Sequence, residues 1–273
     1  MKRHEPTTLI LGGSGKTGRR VAQRLRARGL PVRVASRTGD PAFDWSDERT
    51  WAAALRGVDA VYITYFPDLA LPGAADHIGR LARQAVEGGT KKLVLLSGRG
   101  EPEVQPAEHA VRGSGAAWTI LECAFFCQNF SEGGLAPVDG TIVFPGGDSA
   151  EPFLDADDIA DVAVAALTDD AHAGKTYELT GPQLVTYAQA ASEIQAASGR
   201  PMRYAPISFE GYAELLAQSL PPEDVSFFID LFRWLTDGHN AHVTDGVERA
   251  LGRKPRSFGD YARAAAAAGA WAR

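Results

Sequence analysis

The stretch Thr7-Thr8-Leu9-Ile10-Leu11-Gly12-Gly13-Ser14-Gly15-Lys16-Thr17-Gly18-Arg19-Arg20-Val21 decides the fold. Thr7 to Leu11 is a short β-favouring, apolar run of the length a buried strand needs. From about Thr17 to Arg28, Val21, Ala22 and Leu25 recur at helical spacing, and Gly29 supplies the stop. Between strand and helix stand Gly12, Gly15 and Gly18. In that setting the first glycine permits a tight turn, the second lets the backbone approach a pyrophosphate, and the third allows close helix–strand packing. Unpaired N–H groups at a helix start, aided by the helix dipole, attract phosphate. The expected cofactor loop is therefore Gly12, Gly13, Ser14, Gly15, Lys16, Thr17 and Gly18.

Outward from this loop the same rhythm repeats. Strands are expected at Val32 to Ser36, Ala60 to Ile63, Lys92 to Ser97 and Trp118 to Leu121. Helices are expected between them at Trp51 to Arg56, Ala74 to Glu87 and Ala107 to Arg112. Strands separated by helices give a parallel sheet with right-handed crossovers, an α/β doubly wound sheet of the Rossmann type. The rhythm breaks after Phe130, where Ser131 to Ser149 is rich in Gly, Pro and Asp. A helix at Ile159 to Leu167 and a strand at Lys175 to Thr180 resume it. Helices at Thr186 to Ser198, Phe209 to Leu220 and Val225 to Leu235, and an alanine-rich one at Asp260 to Trp271, follow. The expected division is a cofactor-binding domain at 1–130, its sheet completed by about 152–182. Residues 131–151 and 183–273 form a smaller C-terminal lobe over the sheet, where substrate would sit.

Composition narrows the partners. A net charge of −6 over 273 residues argues against nucleic acid, which demands a basic surface. No window approaches the 18 or so apolar residues of a membrane span. Met1-Lys2-Arg3-His4-Glu5-Pro6 has neither the apolar core nor the cleavage site of a signal peptide, so a cytoplasmic protein is expected. Cys123 and Cys127 lie among apolar residues and are expected to be packing residues. Asp155, Asp157 and Asp158 have no histidine near them in sequence. No metal is expected there, and Asp158 is explained as a helix cap.

The residue at the end of the second strand sets the choice of cofactor. An acidic residue there would bind the ribose hydroxyls of NAD. The chain has Ser36-Arg37-Thr38 instead, and Arg37 can fork onto a 2′-phosphate, with Lys16 as a second positive charge. NADP(H) is the expected cofactor.

Several segments in order carry a likeness: the Gly12–Gly18 loop, Leu95-Leu96-Ser97, Trp118-Thr119-Ile120-Leu121, Gln128-Asn129-Phe130, Phe153-Leu154-Asp155, Tyr177-Glu178-Leu179-Thr180-Gly181 and Gly252-Arg253 with Pro255. Together they resemble the NmrA-like group of atypical short-chain dehydrogenases/reductases over nearly the whole chain. Phe43-Asp44-Trp45 with Thr50-Trp51 is similar to the branch of the festuclavine and agroclavine dehydrogenases, which deliver hydride from NADPH to an iminium carbon. The resemblance implies that Asp44 and Trp45 flank the adenine and that Thr64 and Tyr65 lie along the cofactor ribose. It also allows a homodimer. Where the group often has Leu-Arg-Pro, this chain has Leu121-Glu122-Cys123.

Ketone-reducing members use a serine with a Tyr-x-x-x-Lys pair. Ser97 stands at the expected strand end, but Glu101 to Gly115 contains neither tyrosine nor lysine. Two readings fit. In one, the substrate is a small flat acceptor (an imine or iminium, quinone or conjugated carbonyl) that needs no such donor. Catalysis then reduces to holding the acceptor near the nicotinamide. Ser97, His109 and Glu122 are the catalytic candidates, and Glu108, beside His109, is a further relay candidate. Tyr65, Phe66, Phe125 and Phe126 would wall the substrate, with Asn129 fixing the adjoining loop. In the other reading the chain has lost catalysis and senses NADP(H) for a protein partner.

Overall fold

In the computed structural model, which describes residues 6–272, Thr8–Leu11 forms strand β1 with all four residues buried. The N-terminal residues read as lacking a signal peptide lie largely outside the described part. Next in the chain come α1 (Lys16–Ala27), β2 (Val32–Ala35), α2 (Trp51–Leu55), β3 (Ala60–Ile63), α3 (Ala74–Glu87), β4 (Lys92–Gly98), α4 (Gln105–Arg112) and β5 (Ala117–Cys123). The chain then forms α5 (Asn129–Glu132), β6 (Thr141–Phe144) and β7 (Ala150–Glu151), followed by α6 (Ala156–Thr168) and β8 (Lys175–Leu179). The remainder is β9 (Val185–Thr186), α7 (Tyr187–Ser198), β10 (Arg203–Pro206), α8 (Phe209–Leu216), α9 (Pro222–Leu235), α10 (Gly246–Leu251) and α11 (Phe258–Ala267).

These elements fall into two compact units. One holds the chain up to Cys123 with Ala156–Leu179 and Asp245–Lys254; the other holds Ala124–Asp155, Thr180–Thr244 and the chain from Pro255. In the first, six parallel strands run in the order β2-β1-β3-β4-β5-β8. Leu9, Ile10, Leu11, Val61, Leu93, Val94 and Leu95 are wholly buried, as expected of strands covered on both faces. Strand order reverses at β1, which has β2 on one side and β3 on the other. Ligands of such sheets lie outside the strand carboxyl ends at that switch point.

The seam between α1 and α6 is ionic. Arg24 bridges Asp157 and Asp161, each at 2.6 Å. Arg253, just past α10, reaches Asp158 at 2.7 Å and Asp161 at 2.5 Å. These bonds correct two expectations. Helix α6 starts at Ala156, so Asp158 is no cap but a wholly buried first-turn carboxylate neutralised by Arg253. Asp245–Lys254, expected in the smaller lobe, belongs instead to the sheet unit.

The second unit has an aromatic core. Phe130 meets Phe153 and Phe258 edge-on at 5.1 Å, and Phe144 lies 5.0 Å from Tyr187. Trp271 Nε1 donates to the Phe130 carbonyl at 3.0 Å, and the Tyr261 hydroxyl donates to Ser131 at 2.8 Å. Cys127 is buried in this core and Cys123 in the sheet unit, as packing residues should be. No helix among the described residues is long and apolar enough to cross a membrane.

Candidate active site

The glycine loop is shaped by close approach. Gly12 has φ +65°, and a Cβ there would collide with Thr64 Oγ1, which itself donates to the Leu11 carbonyl at 3.1 Å. A Cβ on Gly18 would strike the Gly12 carbonyl. The Gly15 amide donates to that same carbonyl at 2.8 Å, closing the turn. Gly15 caps α1 without a side chain, and the first turn of α1 carries no acidic residue. An uncapped, unopposed positive helix end is suited to an anion.

At the end of β2, Arg37 is exposed, with its guanidinium carbon 5.2 Å from the centre of the Phe66 ring. Phe66 is 64% exposed, so an aromatic surface and a cation lie side by side just beyond the end of β2. The sequence reading put Phe66 on the substrate wall; the structure puts it against Arg37. Asp44 accepts from the Ser46 amide at 2.9 Å and the Ser46 hydroxyl at 2.7 Å. Those bonds, with Arg37 nearby, hold its carboxyl below the usual range. Trp45 Nε1 donates to the Thr64 carbonyl at 3.2 Å, and its ring lies 4.7 Å from Tyr65. The Tyr65 hydroxyl meets His77 Nδ1 at 2.7 Å. Asp44, Trp45, Thr64 and Tyr65 are thus brought together, tied by packing and hydrogen bonds.

Ser97 closes β4, two strands from β1 and so roughly 10 Å along the sheet edge. It is buried, and its hydroxyl donates to Glu108 Oε1 at 2.6 Å. The other Glu108 oxygen accepts from Arg112 at 2.9 Å, one turn further along α4. Arg112 is 4.0 Å from Glu122, and parallel pairing sets Ser97 beside Glu122 and Glu122 beside Glu178. Glu178 is held by the buried Arg99 at 2.5 Å. Burial, with Glu108 and Glu178 beside it, pushes the Glu122 carboxyl up to about 7. Partial burial, with Asp68 and Glu103 nearby, pushes the Glu101 carboxyl up to about 8. A cavity of about 210 Å³ is lined by Gly98, Glu101, Glu108, His109, Arg112 and Glu122, among others.

Sequence reading named Ser97, His109 and Glu122, and all three lie in this neighbourhood. His109 is exposed at the cavity wall, whereas Glu108 is buried. The partners Arg99 and Arg112 were missed. The four-residue spacing of Glu108 and Arg112 was legible, but their inward direction was not. Phe125, Phe126 and Asn129 fall in the second unit, where Phe125 lies 6.2 Å from both Phe144 and Phe153. Among the described residues no three His, Cys, Asp or Glu side chains gather as a metal would require.

A doubly wound sheet with an anion-receptive glycine loop at its first strand and a cation at the end of its second defines a dinucleotide-binding protein. Residues 12–170 match the NAD(P)H-binding family, and the chain belongs to it. It is 33% identical over 285 residues to the NAD(P)H azoreductase of Xenophilus azovorans, covering 95% of this chain and 98% of that one. It is 30% identical over 276 residues to the agroclavine dehydrogenase of Claviceps fusiformis, covering 93% and 96%. That likeness bears out the branch read from the sequence. The fold matches Citrobacter sp. triphenylmethane reductase, solved with NADP(H), at a TM-score of 0.75 and 19% identity, covering 95% and 99%.

Proposed function

We propose that this NAD(P)H-dependent oxidoreductase prefers NADPH and reduces a small, flat, conjugated acceptor without a Tyr-x-x-x-Lys pair. The acceptor class comprises imines or iminium ions, quinones, conjugated carbonyls and, from the azoreductase likeness, azo compounds. The observation that carries this reading is α4. Where ketone-reducing relatives set tyrosine and lysine, it offers Glu108 and Arg112. A phenol that would donate to a developing alkoxide is missing from that helix, and conjugated acceptors place less demand on one.

The Gly12–Gly18 loop fits a pyrophosphate: its glycines leave a backbone cradle that side chains would fill. In this reading the loop amides hold the phosphates and Lys16 adds charge. Arg37 takes the 2′-phosphate, and Asp44, Trp45, Thr64 and Tyr65 run along the adenine ribose. Ser97 stands at the nicotinamide. The cofactor, when bound, supplies a hydride to the acceptor. Holding reactants in attack geometry supplies much of such a rate enhancement.

The test is a fluorescence titration with NADPH and NADH, followed by a panel of quinones, azo dyes, conjugated carbonyls and iminium ions. Tighter NADPH binding with acceptor-dependent loss of NADPH is expected. Tight binding with no oxidation by any panel member would sink the reductase reading in favour of cofactor sensing.

A further inference from the structure

Helix α4 does more than lack tyrosine and lysine. Glu108 and Arg112 stand four positions apart, with three residues between them, like the missing pair, and Glu108 makes the 2.6 Å bond to Ser97. Behind them stands Glu122, which faces Ser97 from β4, Glu108 and Arg112 from α4, and Glu178 from β8. His109 and Glu101 line the same cavity. Glu108, which is buried, and Glu122 and Glu178, which are half-buried, thus share two arginines, Arg112 and Arg99, in one row. Three carboxyls against two guanidiniums leave one negative charge in excess, and burial disfavours an uncompensated charge. One proton resolves the imbalance. Glu122, whose nearest guanidinium nitrogen is 4.0 Å away, is the most weakly paired and holds it.

We propose that Glu122, Glu108 and Ser97 form a proton relay ending on the acceptor, which suits this enzyme to neutral conjugated acceptors, azo or quinone, rather than to iminium ions. The proposal rests on the reductase reading and narrows its substrate. When hydride from the cofactor bonds to one end of a neutral π system, the π electron pair moves to the far nitrogen or oxygen. That atom takes the Ser97 hydroxyl proton. Glu108, a carboxylate paired with Arg112, takes the proton held by Glu122 and then gives it to Ser97 Oγ, ending as a carboxylate again. Glu122 ends as a carboxylate, and water in the cavity returns its proton. The acceptor has gained one hydride and one proton. An iminium ion is neutralised by hydride alone and leaves the relay nothing to do.

Arg112 is a positioning residue here: its bond to one Glu108 oxygen turns the other toward Ser97. A passive structural pair would not couple the rate to a titration near neutrality. This relay does, because only protonated Glu122 can supply it, and the carboxyl is pushed up to about 7.

The test uses the whole protein and Glu122→Gln. Infrared difference spectra on raising the pH from 6 to 8 should show the wild type losing a protonated-carboxyl component with its midpoint near 7 that the variant lacks, on top of the loss from Glu101, which lies near 8 and is common to both. For a neutral quinone, wild-type kcat should fall as pH rises through the same range. In the variant kcat should drop about 100-fold, in keeping with a lost proton transfer, with little change in KM and no pH limb. The quinone-to-iminium rate ratio should fall at least about tenfold, by the same loss. An unchanged band, or a variant that keeps both quinone kcat and its pH limb, would overturn the relay. Turnover of iminium ions with none of quinones or azo dyes would overturn the relay alone. Oxidation of NADPH by no acceptor of any class would bring down the reductase reading and the relay with it.

Discussion

Replacing Arg37 by alanine separates the two nicotinamide cofactors energetically. Arg37 is exposed at the end of β2, with its guanidinium set over the Phe66 ring at 5.2 Å. No carboxylate lies within salt-bridge distance of it among the described residues, so its hydrogen-bond donors remain available to a phosphate. The aromatic contact limits the conformations the long side chain must give up on binding. A charge-assisted hydrogen-bonded contact of this kind contributes about 1.5–3 kcal/mol. Since about 1.4 kcal/mol is tenfold, the loss for NADPH should be roughly 10- to 150-fold. NADH lacks the 2′-phosphate and should lose less than about threefold, the scale of an exposed side-chain change. Fluorescence or calorimetric titration of both cofactors gives the two ratios. An equal loss for both, or no loss for NADPH, would refute the assignment of Arg37 to the phosphate.

Other consequences concern the loop, the ionic seam and pH. Gly18→Ala would drive a Cβ into the Gly12 carbonyl, so cofactor affinity should fall at least about tenfold in the same titration. Arg253→Ala would strip a charge partner from wholly buried Asp158. Because Arg253 is itself partly exposed, the cost should be about 2–3 kcal/mol, read as a lowered thermal midpoint. Glu122 favours the protonated form in the fold. Its contribution to stability is full below about 4.5 and is lost as pH rises through about 7. Stability of the wild type should therefore decline from pH 5 to 8, by at most about 1.4 kcal/mol per unit from this group. Glu122→Gln should flatten that slope in denaturant titrations.

The sheet was legible because its signals are local. Gly12, Gly15 and Gly18 sit between a strand and a helix, and each apolar strand is followed by a helix of clear period. The cofactor loop and Arg37 were readable for the same reason: the positions are fixed by strand ends. What escaped notice depends on distant pairings. The pair β6–β10 joins Thr141–Phe144 to Arg203–Pro206, some sixty residues apart, and β7 and β9 are two residues each, too short to show a period. Arg253 could be quoted as part of a family ending, yet its bonds to Asp158 and Asp161 appear only once the chain has folded. In the sequence Glu108 is only a relay candidate beside His109, and its burial cannot be seen there. Its burial follows from the sheet face that α4 covers, where Ser97, Glu122 and Glu178 line up across three strands. Phe66 was assigned by aromaticity alone, and the contact with Arg37 could not be read from that.

The central claim, hydride delivery from NADPH to a conjugated acceptor, is tested most directly with NADPH carrying deuterium at both C4 positions and an α,β-unsaturated carbonyl substrate. The account predicts NADPH oxidation with a saturated product that carries one deuterium on carbon, one mass unit above the product formed from ordinary NADPH. A product without deuterium, or cofactor that binds but is never oxidised, would contradict it.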